Sequence, residues 1–333
     1  MHIPEDGILA CIGNTPLVRL TKALGPCCHL YAKLEGMNPG GSIKDRPALE
    51  ILRHAIDIGA VSEHSVIVEA TSGNMGVALA MVCRRLGLRL ICVVDNKATV
   101  QSLRLMELYG AEIELVTEPD PITGDLLQAR INRAQALAAS TPGSFWVNQY
   151  ANEYAARAHY RTMDEIMIAL DGQADYLFCG ASSCGTIRGC ADYLRSRQLE
   201  RPRLWAVDAE GSVIFGGRRA SRAIPGHGAG IRPALYRDGM AARTIAVSDA
   251  ACVAGCRHLL ATEGLLVGGS SGGVFSAVQQ VYDELPRGAT CVMLLPDRGE
   301  RYLSTIFSDT WVEAQFGTAP LLASEARVLA SRA

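Results

Sequence analysis

A lysine follows an Asn-Pro-Gly-Gly-Ser loop, residues 38–42, and opens a segment with helical periodicity. A helix N-terminus already carries a partial positive charge, so ordinary capping would favour an acidic residue at this position. Lys44 is therefore interpreted either as an unremarkable surface lysine or as an amine that is placed for chemistry.

Four glycine-rich stretches each follow a predicted strand: "EGMNPGGS" at 35–42, "TSGNMG" at 71–76, "GASSCGT" at 180–186 and "GGSSGG" at 268–273. One such stretch alone is most simply a helix cap. In α/β sheets, however, ligands bind at the carboxyl ends of the strands. Four stretches at these ends together predict a ligand site.

These loops offer complementary chemistry. The hydroxyls and N–H groups of Ser182–Thr186 suit a phosphate at a helix N-terminus. The Asn74 amide suits a phenolic oxygen, the Ser270 hydroxyl suits a ring nitrogen, and the Lys44 amine suits an aldehyde. Together these are the features of pyridoxal phosphate, which binds lysine as a Schiff base.

The elements that must position these residues alternate in a βαβα rhythm. Strands are predicted at 65–70, 89–95, 112–117, 144–148, 176–182, 203–211, 265–269 and 290–297. This rhythm predicts mainly parallel sheets covered by helices on both faces. The predicted domains are residues 1–150 and 151–315, followed by an Ala-rich tail at 316–333.

Composition narrows the class of partner. The chain has 333 residues, 49% hydrophobic content, and 32 basic against 34 acidic side chains. Without a basic cluster, nucleic acid and anionic membranes are disfavoured, and small-molecule substrates are favoured. No secretory signal or membrane span is predicted, which favours the cytoplasm. The eleven cysteines are expected to be reduced, and no metal site is predicted.

The chain resembles the cysteine synthase and cystathionine β-synthase family of fold-type II pyridoxal-phosphate enzymes over residues 8–312. The shared motifs are "IGNTPLVRL" at 12–20, "NPGGSIKDRPA" at 38–48, "EATSGNMGVALA" at 69–80, "GHGAG" at 226–230, "GGSSGG" at 268–273 and "PDRGERYLST" at 296–305. The resemblance implies a tryptophan synthase β-like fold with two three-layer α/β/α domains. It also implies a homodimer, a mobile N-terminal domain, and packing of residues 13–36 on the other domain.

The resemblance assigns roles to individual residues. It makes Lys44 the Schiff-base lysine, places Asn74 at the phenolic oxygen and Ser270 at the pyridine nitrogen, and places the substrate α-carboxylate at Thr71, Ser72 and Gln149. The implied phosphate cradle consists of Ser182, Ser183, Cys184, Gly185 and Thr186. The implied reaction is β-replacement: elimination from an amino acid leaves an α-aminoacrylate, to which a nucleophile adds.

Departures from the family pattern bear on the substrates. Met75, a further candidate substrate-binding residue, stands where cysteine synthases usually have Thr, and "SSCGT" replaces a glycine-rich loop. The stretches "VVDNK", "FWVNQYANEY", "VDAEGSVIFG", "LPDRGERY" and "SDTW" resemble members that join O-phospho-L-serine to L-glutamate, on a route to 2,3-diaminopropionate and siderophores. Arg130 and Tyr150 are candidates to bind these anionic substrates, and Arg130 is otherwise a solvated residue on a helix predicted at 125–139.

Two alternatives remain open. The chain could be a cysteine synthase that adds sulfide to O-acetylserine or O-phosphoserine, or a catalytically silent cofactor-binding or partner-binding protein. The silent alternative is disfavoured because Lys44, Asn74 and Ser270 are all present. His227, in "PGHGAG", is interpreted as a turn histidine near the cofactor and not as a group that acts on substrate.

Overall fold

The computed structural model describes residues 1–4, 6–318 and 320. These residues divide into two compact units. The first comprises Met1–Gly13 and Asn38–Ala158, and the second comprises Asn14–Met37 and the chain from His159 onward. Most of the predicted tail, from residue 321, lies outside the described residues.

The first unit contains a parallel four-stranded sheet in the order β5-β4-β3-β6. Its strands are β3 (Val66–Ala70), β4 (Arg89–Asp95), β5 (Glu112–Val116) and β6 (Ser144–Trp146). Its helices are α1 (Asp45–Asp57), α2 (Asn74–Leu86), α3 (Val100–Leu108), α4 (Leu126–Ser140) and α5 (Glu153–Arg157). Every residue of β3 is buried, as expected for a central parallel strand covered on both faces.

The second unit contains a six-stranded sheet in the order β1-β2-β10-β7-β8-β9. Only the β1–β2 pair is antiparallel. Its strands are β1 (Leu17–Leu20), β2 (His29–Leu34), β7 (Tyr176–Gly180), β8 (Arg203–Ala209), β9 (Arg243–Val247) and β10 (Thr290–Leu295). Its helices are α6 (His159–Ala169), α7 (Gly185–Ser196), α8 (Asp249–Glu263), α9 (Gly269–Gln280) and α10 (Asp309–Phe316). The predicted α/β class with mainly parallel sheets is confirmed.

A buried ion pair ties β2 to α6. Lys33 is 1% exposed and donates to Glu165 Oε2 at 2.6 Å and to the Thr15 carbonyl at 2.5 Å. A buried ammonium requires such partners, because removing it from water is otherwise strongly unfavourable. Strands β1 and β2 are thus bonded within the second unit, although they precede most of the first unit in the chain.

One predicted element is wrong. The strand expected at 265–269 does not form: Val267 makes a single bridge to Arg298, and α9 already begins at Gly269. Its three apolar residues lie between two helices, which leaves too little chain for a strand. Ala158 separates α5 from α6. Among the described residues, no helix has the length and apolarity to cross a membrane.

Candidate functional site

The loop after β3 carries Thr71, Ser72 and Gly73, and α2 begins directly afterwards at Asn74. This helix has neither a side-chain cap nor an acid in its first turn. The N–H groups of a first helical turn have no partners within the helix and attract anions. The loop can therefore donate hydrogen bonds to a carboxylate.

The Thr71 hydroxyl is oriented by the backbone of this loop. Its oxygen accepts from Gly76 N at 3.1 Å and from Gly73 N at 3.5 Å. A hydroxyl has two lone pairs and one donor, so two backbone N–H groups occupy the acceptor side and the proton is directed elsewhere. Thr71 is thereby set up as a hydrogen-bond donor.

Ser72 is held differently, by Arg130 and Asp95. Its Oγ donates to Asp95 Oδ1 at 3.0 Å and accepts from Arg130 Nη1 at 2.9 Å and from Asp95 N at 3.0 Å. These partners use the donor and both lone pairs of the hydroxyl. An anion at this loop would meet the Ser72 backbone N–H, since the side chain is committed to holding the loop.

Arg130 is buried, so its alternative interpretation as a solvated residue on a helix surface is wrong. Its Nε lies 3.0 Å from Asp95 Oδ2, with the two side chains 10% and 4% exposed. The Nε–H is not aligned with that oxygen, so the contact is an ion pair and not a hydrogen bond. A guanidinium has five N–H donors, and Ser72 and Asp95 engage only some of them.

Gln149 and Tyr150 follow β6 in the same unit. Gln149 Nε2 donates to Glu69 Oε1 at 3.1 Å and approaches the Ala70 carbonyl at 3.4 Å, which brings the amide beside the loop. Burial raises the pKa of Tyr150, and Arg130 partly opposes that shift. The remaining predicted residue of this group, Met75, is 2% exposed inside α2.

Lys44 immediately precedes α1, with its backbone N–H donating to Ser42 Oγ at 3.2 Å. The acidic residue expected at this helix N-terminus is Asp45, which follows Lys44. Its carboxylate accepts from Gly40 N at 2.5 Å. The lysines of the sequence are Lys22, Lys33, Lys44 and Lys97. Lys22 and Lys97 are exposed and Lys33 is paired with Glu165, so Lys44 is the half-buried lysine on a candidate loop.

In the second unit, residues 182–184 lie between β7 and α7, and Gly185 and Thr186 are the first two residues of α7. Cys184 adopts a left-handed conformation with φ 64, which non-glycine residues rarely adopt. A left-handed residue beside right-handed helical residues turns successive N–H groups toward one point, an arrangement that is typical of anion-binding loops. Thr186 Oγ1 lies 3.2 Å from His159 Nε2, which fixes the end of the loop.

Ser270 lies in the first turn of α9 and is 9% exposed. Gly268, just before this helix, donates to the Asp297 carbonyl at 3.1 Å. His227 is 1% exposed, and the residue after it donates to the Ala181 carbonyl, next to the phosphate-loop candidates. Burial, aided by the Arg222 charge, lowers the pKa of His227 to about 4, so its imidazole is neutral.

The helix termini fit an anionic cofactor. Side-chain caps close α3, α4, α5, α8 and α10. In contrast, α2, α7 and α9 begin without a side-chain cap and without an acid in the first turn. Each of these three helices follows one of the four candidate loops, and α1, which follows the fourth, has Asp45 in its first turn. Their donors suit the phosphate and polar ring substituents of pyridoxal phosphate.

Sequence reasoning did not single out Asp95 and Glu69, the partners of the loop residues. Asp95 is the last residue of β4, and Glu69 lies inside β3 between apolar neighbours. An acidic residue in an otherwise apolar strand was the available signal, since a buried carboxylate requires a reason.

The chain matches the family described as pyridoxal-phosphate dependent enzyme over residues 8–297. It is similar to the structure of an O-acetylserine-dependent cystathionine β-synthase from Helicobacter pylori, with 32% identity, a TM-score of 0.84, and coverage of 92% of this chain and 99% of that one. It is also similar to a hydrogen sulfide-producing enzyme from Fusobacterium nucleatum, with 32% identity, a TM-score of 0.83, and coverage of 90% and 99%.

A third similar structure is that of O-ureido-L-serine synthase, with 30% identity, a TM-score of 0.83, and coverage of 92% of this chain and 98% of that one. The predicted enzyme class and the predicted cofactor, pyridoxal phosphate, are confirmed. The chain belongs to the family of pyridoxal-phosphate dependent enzymes, of the type that carries out β-replacement on amino acids.

Proposed function

We propose that this enzyme joins O-phospho-L-serine to L-glutamate, giving N-(2-amino-2-carboxyethyl)-L-glutamate and phosphate. The product would serve as a precursor of 2,3-diaminopropionate for siderophore biosynthesis. We further propose that the enzyme works in the cytoplasm as a homodimer.

The cofactor would be held by the residues that the family resemblance assigns. Lys44 would bond the aldehyde, Asn74 the phenolic oxygen and Ser270 the ring nitrogen, while Ser182–Thr186 would hold the phosphate. When bound, pyridoxal phosphate supplies the electron sink for removal of the α-proton and the β-substituent. The Lys44 amine is the group that would take up the α-proton as general base.

The donor's α-carboxylate would lie at the loop after β3. The Thr71 hydroxyl, the Ser72 N–H and the first turn of α2 provide its donors. Gln149 would contribute its side-chain amide beside them. Because the Ser72 hydroxyl is bonded to Asp95 and Arg130, the position of this loop depends on both charged residues.

One observation carries the choice of substrates: a guanidinium lies buried at the carboxylate loop. Arg130 retains N–H donors beyond those that meet Ser72 and Asp95, and these suit a substrate phosphate or a glutamate carboxylate. Tyr150 and Ser182 could add hydrogen bonds. A site built to bond such groups discriminates strongly against a nucleophile that lacks them, such as sulfide.

A cysteine synthase is the second candidate. It is favoured by the structural neighbours, one described as O-acetylserine dependent and another as hydrogen sulfide producing.

The deciding experiment offers the reconstituted enzyme O-phosphoserine or O-acetylserine, each with glutamate or sulfide, and identifies the products by mass. The proposal expects an amine adduct from phosphoserine and glutamate as the fastest product. Efficient cysteine formation from acetylserine with no amine adduct would establish the second candidate instead. Lys44→Ala is the control for reactions that occur without the enzyme's own amine.

A further inference from the structure

Glu69 is a carboxylic side chain sealed inside the first unit. It lies on β3, is 0% exposed, and stands two residues before Thr71. Carboxylates are almost never fully buried unless they are paired. No ion pair to Glu69 occurs within the part of the chain that the structure describes.

The Glu69 carboxyl group is hydrogen-bonded to Gln149. Oε1 accepts from Gln149 Nε2 at 3.1 Å and from Gln149 N at 3.5 Å. Across residues 1–4, 6–318 and 320, no hydrogen bond reaches the buried Oε2. Glu69 is thus the closest hydrogen-bond partner of the Gln149 amide, which is itself 6% exposed.

The surroundings of Glu69 favour its neutral form. Cys92 on β4 lies directly opposite in register, and burial raises the pKa of this thiol and of Cys83 on α2. The charges nearby are Arg130 on α4 and Asp95 at the end of β4, which form a pair with each other. Tyr150 is the remaining titratable neighbour, and burial raises its pKa too.

Burial raises the pKa of Glu69 to about 8, and hydrogen bonds from Gln149 and the Asn148 backbone, with the charge of Arg130, oppose that rise only in part. Near neutral pH the side chain is therefore available as a carboxylic acid as well as in the carboxylate form that accepts from Nε2. An ionised carboxylate can only accept hydrogen bonds, whereas the neutral acid also carries one O–H donor.

We propose that Glu69 is a positioning residue, which acts through Gln149 to set which end of that amide faces the substrate carboxylate. The inference rests on the proposed function, since it takes the carboxylate of an amino-acid donor as the ligand. An ionised Glu69 holds Nε2 inward. A protonated Glu69 donates to the amide oxygen after a half-turn of the amide, and Nε2 then points outward as a donor.

The chemistry of this step balances without a further reactant. One proton moves from solvent to Glu69. The N–H···O bonds from Nε2 to Glu69 Oε1 and to the Ala70 carbonyl are broken, one O–H···O bond forms from Glu69 to the amide oxygen, and the N–H donors of the amide become available to the ligand. Binding of a carboxylate at Nε2 therefore favours protonation of Glu69, and protonation of Glu69 equally favours binding.

The first test observes the amide directly, in protein that carries no substrate. The side-chain 15N–H2 resonance of Gln149, assigned by its loss in Gln149→Ala, should titrate with a midpoint near the Glu69 pKa of about 8. In Glu69→Gln, which has a permanent donor at this position, the resonance should not titrate. A Gln149 resonance that is unchanged across this range in the wild-type protein would overturn the proposal.

The second test measures binding of phosphoserine and acetylserine to the reconstituted enzyme against pH. The affinity of the wild-type enzyme for these donors should fall as the pH rises above the Glu69 pKa. The affinity of Glu69→Gln should not show this additional fall. Glu69→Ala should bind about tenfold more weakly at neutral pH, the size of one lost hydrogen bond. If Glu69→Gln were weakened as much as Glu69→Ala, the positioning role would be wrong.

The two tests distinguish failure of the proposed function from failure of the positioning role of Glu69. An enzyme that binds neither donor contradicts the proposed function, and the resonance titration still decides whether Glu69 controls the Gln149 amide. An enzyme that makes the expected adduct but shows no titration keeps its function and loses this inference.

Discussion

Arg130 and Asp95 form an ion pair inside the first unit, with Nε 3.0 Å from Oδ2. The Ser72 hydroxyl bonds to both residues, so the pair anchors the loop that follows β3. A buried pair contributes little net stability by itself, but breaking it leaves an uncompensated charge. Its most evident consequence is geometric, because it fixes the loop proposed to bind the donor's carboxylate.

Asp95→Asn should destabilise the fold by about 3 kcal/mol, because the Arg130 charge then remains buried without its counter-charge. Urea unfolding monitored by circular dichroism measures this loss. The matched control is Glu114→Gln, which breaks the half-exposed pair with Arg133 on the same helix and should cost less than about 1 kcal/mol. Equal effects of the two substitutions would show that the Arg130–Asp95 pair is not effectively buried.

Arg130→Ala should lower kcat/KM about a hundredfold, as expected when a substrate-positioning loop shifts slightly. Cofactor affinity should change little, because none of the residues proposed to hold pyridoxal phosphate is bonded to Arg130 among the contacts described. Steady-state kinetics and equilibrium dialysis with pyridoxal phosphate measure the two quantities. Arg133→Ala, one helical turn away, should leave both unchanged. A parallel loss of cofactor from Arg130→Ala would argue for a general structural role.

Lys44→Ala should abolish the covalent attachment of pyridoxal phosphate, because Lys44 supplies the amine that bonds its aldehyde. Reduction of the reconstituted protein with borohydride, followed by peptide mass spectrometry, should locate the pyridoxyl group on Lys44 alone. Lys97→Ala removes an exposed lysine and should label like the wild-type protein. Labelling at Lys33 or Lys97 in place of Lys44 would contradict the assignment.

His227 should make the fold acid-sensitive. Burial lowers its pKa to about 4 from 6.5, so the unfolded chain binds more protons between these values, and stability falls as the pH drops through this window. By pH 4 the loss should approach about 3 kcal/mol.

Unfolding free energies of the wild-type protein and His227→Gln, compared across this window, isolate the contribution of His227, since the variant cannot titrate there. His64→Gln alters an exposed histidine and should follow the wild-type curve. An NMR titration that gives His227 an ordinary pKa would remove the basis for the effect.

Local patterns predicted much of the fold. The β-branched runs located β3, β4, β7, β8 and β10, because a strand that is buried on both faces is mostly apolar. The same criterion failed for residues 265–267, an apolar run that connects α8 to α9 and pairs only through the single Val267 bridge. It also missed β9, whose exposed and buried residues do not form an apolar run.

The sequence by itself determined the chemistry available: one lysine on a glycine-rich loop, the Ser-Gly-Asn turn, and hydroxyls at two further helix starts. The tertiary structure alone decided the partners. Asp95 is 23 residues from Ser72 and Arg130 is 58 residues from it, yet all three are bonded. Glu69 and Gln149 are 80 residues apart. Pairings across such separations depend on strand order and helix packing, which local periodicity does not encode, and burial then sets the charge states of the groups they bring together.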